Sequence, residues 1–103
     1  MSKLRQVRDA ILTAGEELAP FVKDKVTDGM VSPVLNLRRA IRKAKSTSGV
    51  TMGGREMELS VTKLDECVMW ADRGGWKTAQ ERLHECLMWA AVGVSDEKAE
   101  VRN

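Results

Sequence analysis

The residues best suited to chemistry in this 103-residue chain are Gly53, Gly54, Arg55 and Thr62. A glycine pair lets the backbone come close to a bound group. Residues 55 to 72 read as a helix, so Arg55 stands in its first turn, where unpaired N–H groups carry partial positive charge. A phosphate placed there gains several donors at once. The Arg55 guanidinium adds a bidentate fork for its oxygens. Thr62, two turns further, could reach a sugar or base on the same side. Arg38, Arg42 and Lys45, on a preceding helix, could complete a basic wall. This chemistry is the binding of an anion. The same residues also suit a plain capped helix start beside a solvated basic face.

Charge distribution points the same way. Net charge is only +2, but residues 29 to 55 hold six cations and no acidic residue. A segment so polarised suits a polyanionic partner. Catalysis has a poorer case. A nucleophile needs a base in reach, and the single histidine, His84, reads as a surface residue. Residues 46 to 55 are glycine-rich but lack the Gly-Lys-Ser/Thr ending of a Walker-type loop. Cys67 and Cys86 with one histidine do not make a zinc site, and no cofactor is expected. The two cysteines read as small core residues that stay thiols. The reading is therefore not an enzyme.

The elements that must position these residues are helices. The composition leans to Ala, Leu, Lys, Glu and Arg, with four aromatic residues and no tyrosine. Leu4, Val7, Ile11, Ala14 and Leu18 form one stripe of a helix over 2 to 19, with Ser2 as its cap. Pro20 should end or kink that helix. Residues 20 to 31 are ambiguous, with a turn at Asp28-Gly29. A second helix starts at Ser32 as N-cap with Pro33 in its first position, and stops near Lys45. Its stripe is Val34, Leu37, Ile41 and Ala44. The third helix has Met57, Val61, Leu64, Val68 and Ala71 as primary stripe, widened by Leu59, Cys67, Met69 and Trp70. Gly74-Gly75 breaks the chain. The fourth, over about 76 to 92, uses Trp76, Ala79, Leu83, Leu87 and Ala90, widened by Cys86, Met88 and Trp89. From Val94 a charged tail should fray.

The expected fold is all-α: one domain of about four antiparallel helices joined by short connections. A core this thin gains from oligomerisation. Met69, Trp70, Met88 and Trp89 are the packing or assembly residues, because a helix apolar on more than one side needs cover on more than one side. The segment Leu64 to Ala71 returns almost letter for letter as Leu83 to Ala90. Local duplication and convergence on one packing solution both account for that repeat.

Residues 55 to 71 resemble the hairpin domain shared by two phage anti-defence sponge families, one acting against CBASS immunity and one against Thoeris. The family pattern is Arg-Glu-x-Ser-Leu-Ala-x-Thr-Lys-Leu-x-Glu-Ala-x-Met-Trp-Ala. The chain matches it at Arg55, Glu56, Leu59, Thr62, Lys63, Leu64, Glu66, Met69, Trp70 and Ala71. It departs at Glu58, Ser60 and Cys67, where the family tends to Ser, Ala and Ala. The motif-bearing part is about 32 to 72, and the helix at 76 to 92 is additional. The resemblance implies a symmetric oligomer, often a hexamer, in the cytoplasm of an infected bacterial host. It implies capture, without cleavage, of a cyclic di- or trinucleotide or a cyclic ADP-ribose-type signal. Arg55 and Thr62 would be ligand contacts. Glu58, one turn after Arg55, would oppose a phosphate there or pair with the arginine.

Two other classes remain. A small nucleic-acid-binding protein would use the basic second helix, although no aromatic platform lies among its cations. A protein-interaction module would use the wide apolar sides of the third and fourth helices. The N-terminus has no signal-peptide pattern and no segment has the apolar length of a membrane span, so the cytosol is expected and no membrane partner.

Overall fold

The computed structural model describes residues 3–46 and 54–95, and these form four helices: α1 (Lys3–Lys23), α2 (Val31–Ser46), α3 (Gly54–Asp72) and α4 (Trp76–Ser95). No strand occurs among the described residues. Each helix packs on its chain neighbour, and α4 closes back on α1. Neighbours run antiparallel. Lys63 and Glu66 of α3 pair with Glu85 and Arg82 of α4 in reversed order. The beginning of α1 likewise meets the end of α2 around Val7, Ala10, Ala40 and Ala44. The result is an up-down-up-down bundle around one core. No helix among the described residues is long and apolar enough to cross a membrane.

In α1 the stripe residues Val7, Ile11, Ala14 and Leu18 are buried. The helix does not stop at Pro20 but runs on to Lys23. Proline removes the N–H that would bond the Glu16 carbonyl. Glu16 and Pro20 are both on the exposed side, where water can take that carbonyl. Val22, one turn beyond Leu18, is 1 % exposed and holds the extra turn on the core. The helix then ends in a Schellman motif. Val26 N–H donates to Phe21 O at 2.9 Å and Lys25 N–H to Val22 O at 3.3 Å, with Lys25 left-handed at φ 60°.

The start of α2 is also earlier than expected. Val34 N–H donates to Met30 O at 3.1 Å, so Met30 occupies the cap position and Ser32 lies in the first turn. Pro33 is still tolerated there, because first-turn N–H groups have no partner inside the helix. Val34, Leu37, Ile41 and Ala44 are buried as the spacing requires.

The α3–α4 hairpin departs most from the periodicity reading. Its seam is Met57, Ser60, Leu64, Cys67 and Ala71 against Ala79, Leu83, Cys86, Ala90 and Val94. Val61 and Val68 are only partly buried, packed against the edge of the core. Trp76 and Leu87 do the same on α4. The small residues Ser60, Cys67, Ala71, Ala79, Cys86 and Ala90 alternate in the seam with the larger Met57, Leu64, Leu83 and Val94. Val94 is fully buried, so α4 does not fray there but continues to Ser95. The end of α3 repeats the Schellman geometry with Gly74 at φ 80°.

The sequence repeat has a structural counterpart. Residues 64 to 71 and 83 to 90 share one burial pattern: Leu, Cys and Ala in the seam, Met exposed, Trp half-buried. On the outer flank Lys63 and Arg82 each pair with both Glu66 and Glu85, a closed ring of four ion pairs. Antiparallel helices carrying the same pattern are related by a local two-fold axis, and the ring lies on it.

Candidate ligand site between α2 and α3

The antiparallel contact of α2 with α3 sets the last turn of one beside the first turns of the other. Arg42 and Lys45 stand four and one residues before the end of α2, at Ser46. Met57, Glu58, Val61 and Thr62 stand on the first two turns of α3. These six residues line one open cleft of about 400 Å³. That is within the range of small-molecule sites, roughly 300–1,000 Å³. Met57, 4 % exposed, and half-buried Val61 supply an apolar floor. Arg42, Lys45, Glu58 and Thr62 are exposed at the rim. Arg42, Lys45 and Glu58 form no ion pair among the described residues. Two cations thus face one carboxylate across the cleft.

The residues singled out from the sequence divide into groups. Arg42, Lys45 and Thr62 meet in this cleft. Arg38 does not join them. It lies a turn away, its guanidinium bonded to the Asp65 carboxylate, and its Nε is buried without a partner among the described residues. The pair clamps α2 to α3, so Arg38 is a structural cation here. Gly54 begins α3 and Arg55 follows it, both exposed and outside the cleft lining. Arg55, Glu58 and Thr62 follow i, i+3, i+7 spacing and so share a face of α3. Arg55 and Glu58 do not pair with each other among the described residues. Gly53 lies outside the described residues. Met69 and Met88 are exposed, while Trp70 is partly buried against the core and Trp89 half-buried.

A larger hollow, about 620 Å³, lies between the end of α1 and α4, lined by Ala19, Pro20, Val22, Leu83 and Leu87 with His84 at its edge. Its one lysine, Lys23, stands beside Asp24, so it has no charge preference to set against that of the smaller cleft.

Sequence reasoning missed Ser60. It is the one polar residue fully buried among those described, and its hydroxyl donates to the Cys86 carbonyl at 2.8 Å. Its sulfur neighbour, Cys86 Sγ, is 3.5 Å away. Burial pushes the Cys86 thiol up to about 11; the Ser60 hydrogen bond works against the rise, Asp65 adds to it, and Arg38 opposes it. Burial, and then the neighbouring Cys86, push Cys67 to about 11 as well. Both thiols stay protonated at neutral pH and are poor nucleophiles. Among the described residues no group of three or more His, Cys, Asp or Glu could hold a metal.

Comparison with known proteins finds no family model, no curated protein and no solved structure that matches this chain.

Proposed function

We propose that this protein binds a cyclic nucleotide signal in the cleft between α2 and α3 and holds it without cleaving it. The observation that carries the reading is the convergence of Arg42, Lys45 and Thr62 on one cleft just inside the α3 N-terminus. The cations hold phosphate through charge-assisted bonds. Met57 and Val61 offer a surface for a base, and the Thr62 hydroxyl reaches ribose or base. Capture without turnover is part of this reading, and recovery of the ligand at unchanged mass tests it.

The resemblance of residues 55 to 71 to the anti-CBASS and anti-Thoeris hairpin domain supports a role in immune evasion. An abundant phage-encoded protein in the host cytoplasm lowers the free signal below what its effector needs. A symmetric oligomer, with a hexamer favoured, sets such clefts at subunit junctions. Exposed Met69 and Met88, with half-buried Trp70 and Trp89, supply the apolar surface for assembly.

The test is a thermal-shift and calorimetry screen against cyclic di- and trinucleotides, cyclic ADP-ribose isomers, linear dinucleotides and inorganic phosphate. Ligand at about 1,000 times its dissociation constant adds roughly 4 kcal/mol to stability. A large shift with selected cyclic ligands, each recovered with unchanged mass, is expected. Arg42→Ala or Lys45→Ala should weaken binding about tenfold or more. Absence of any shift with cyclic ligands overturns the reading. Binding instead to long duplexes with steep salt dependence assigns the exposed cations of α2 to nucleic acid.

A further inference from the structure

We infer that Glu58 makes this cleft selective for a guanine base. The inference rests on the reading of the cleft as a nucleotide site and adds the identity of the base. Glu58 is the one carboxylate that lines the cleft, exposed at its rim opposite Arg42 and Lys45. Its carboxylate pairs with neither Arg42 nor Lys45, nor with Arg55 one turn earlier, among the described residues. A ligand that is wholly anionic would meet repulsion at this point. A ligand with phosphate at one end and hydrogen-bond donors at the other meets none.

The geometry separates those two ends. Arg42 and Lys45 come from α2, whereas Glu58 comes from α3 with Met57 and Val61 beside it. Phosphate belongs on the α2 side. The base lies over Met57 and Val61, a polarizable thioether and a branched aliphatic, with its edge toward Glu58. Two carboxylate oxygens accept two parallel hydrogen bonds. Guanine offers two adjacent donors on its Watson–Crick edge, N1–H and N2–H. Adenine presents the N1 lone pair beside its amino group, which a carboxylate repels. Uracil offers a single donor. Reading a splayed-out base by that edge is the usual route to base selectivity in single-stranded ligands. A site built to accept such bonds rejects a ligand that lacks the donors, because its own polar groups are then left unpaired.

The experiment is calorimetry of the full chain and of Glu58→Gln with cyclic di-GMP and cyclic di-AMP, with Arg42→Ala as a second variant. The wild type should bind cyclic di-GMP about tenfold or more tightly than cyclic di-AMP, the discrimination of one good bidentate pair. Glu58→Gln should shrink that preference to within about threefold, without weakening cyclic di-AMP. Arg42→Ala should weaken both ligands by the same factor, because it acts on phosphate. Equal binding of the two ligands by the wild type, or a preference that survives in Glu58→Gln, overturns the guanine assignment and leaves the nucleotide site standing. Failure of the wild type to bind either ligand, or any other cyclic nucleotide in the screen above, removes both.

Discussion

Replacing Lys25 by glycine should make this protein more stable, and replacing Gly74 by alanine should make it less so. The two positions are equivalent. Each is the left-handed residue of a Schellman motif, Lys25 closing α1 at φ 60° and Gly74 closing α3 at φ 80°. An L-residue held there costs about 1–2 kcal/mol. Glycine removes that strain but has more freedom to lose on folding, an offset of about 0.4–1 kcal/mol. The net gain for Lys25→Gly is therefore about 0.5–1 kcal/mol. No ion pair is lost with it among the described residues, and Lys25 is exposed. Gly74→Ala reverses the sign, at about 1 kcal/mol of destabilisation, and a Cβ there meets nothing within 4 Å, so the backbone term stands alone. With roughly 4 °C per kcal/mol for a domain of this size, melting should rise by about 2–4 °C in the first variant and fall by about 4 °C in the second. Urea titration should show the same order of midpoints with unchanged slopes. A Lys25→Gly protein no more stable than the wild type would refute the argument.

Two further predictions concern the α3–α4 seam. Ser60→Ala should lose about 1 kcal/mol, because the Cys86 carbonyl keeps its helical partner when the Ser60 hydroxyl is gone; Ser60→Leu should lose about 1–3 kcal/mol more by overpacking a site with 0 % exposure, and chemical denaturation ranks the two. The raised thiols set a pH limit. Cys67 and Cys86 move from 9.0 to about 11 on folding, so the native state holds more protons between those values. Their contribution is intact below pH 9 and declines toward pH 11. Urea titrations from pH 7 to 11 should show that decline in the wild type and a flatter curve in the Cys67→Ala, Cys86→Ala double variant; parallel curves would contradict it.

The helical stripes of α1 and α2 were legible because each has one buried face and a period of 3.6 fits it. The same method found Met57, Leu64 and Ala71 of the α3 seam but took Val61 and Val68 where Ser60 and Cys67 are buried. Periodicity favours the largest apolar residues, and Val61 and Val68 outrank Ser60 and Cys67 on that scale. Packing of α4 inverts the preference at these two positions, where Ser60 and Cys67 are buried beside Cys86 while Val61 and Val68 stay partly exposed. Ser60 carried no signal from composition; its meaning comes from the Cys86 carbonyl, 26 residues away in the chain.

The candidate site divides in the same manner. The chain by itself determined four helices, the stripes of α1 and α2, and the basic segment from 29 to 55. Those properties are local, written in residue type and spacing. Which cations share a cleft is not local. Arg38, Arg42 and Lys45 follow one another at three- and four-residue steps along one side of α2, yet Arg38 is held by Asp65 while the other two open onto Glu58 and Thr62. The crossing of α2 over α3 decides that outcome, because a shift of one turn along a helix exchanges one set of neighbours for another. Glu58 shows it most clearly: in sequence it is a carboxylate one turn after an arginine, and only the packing of α2 makes it the wall of a cleft.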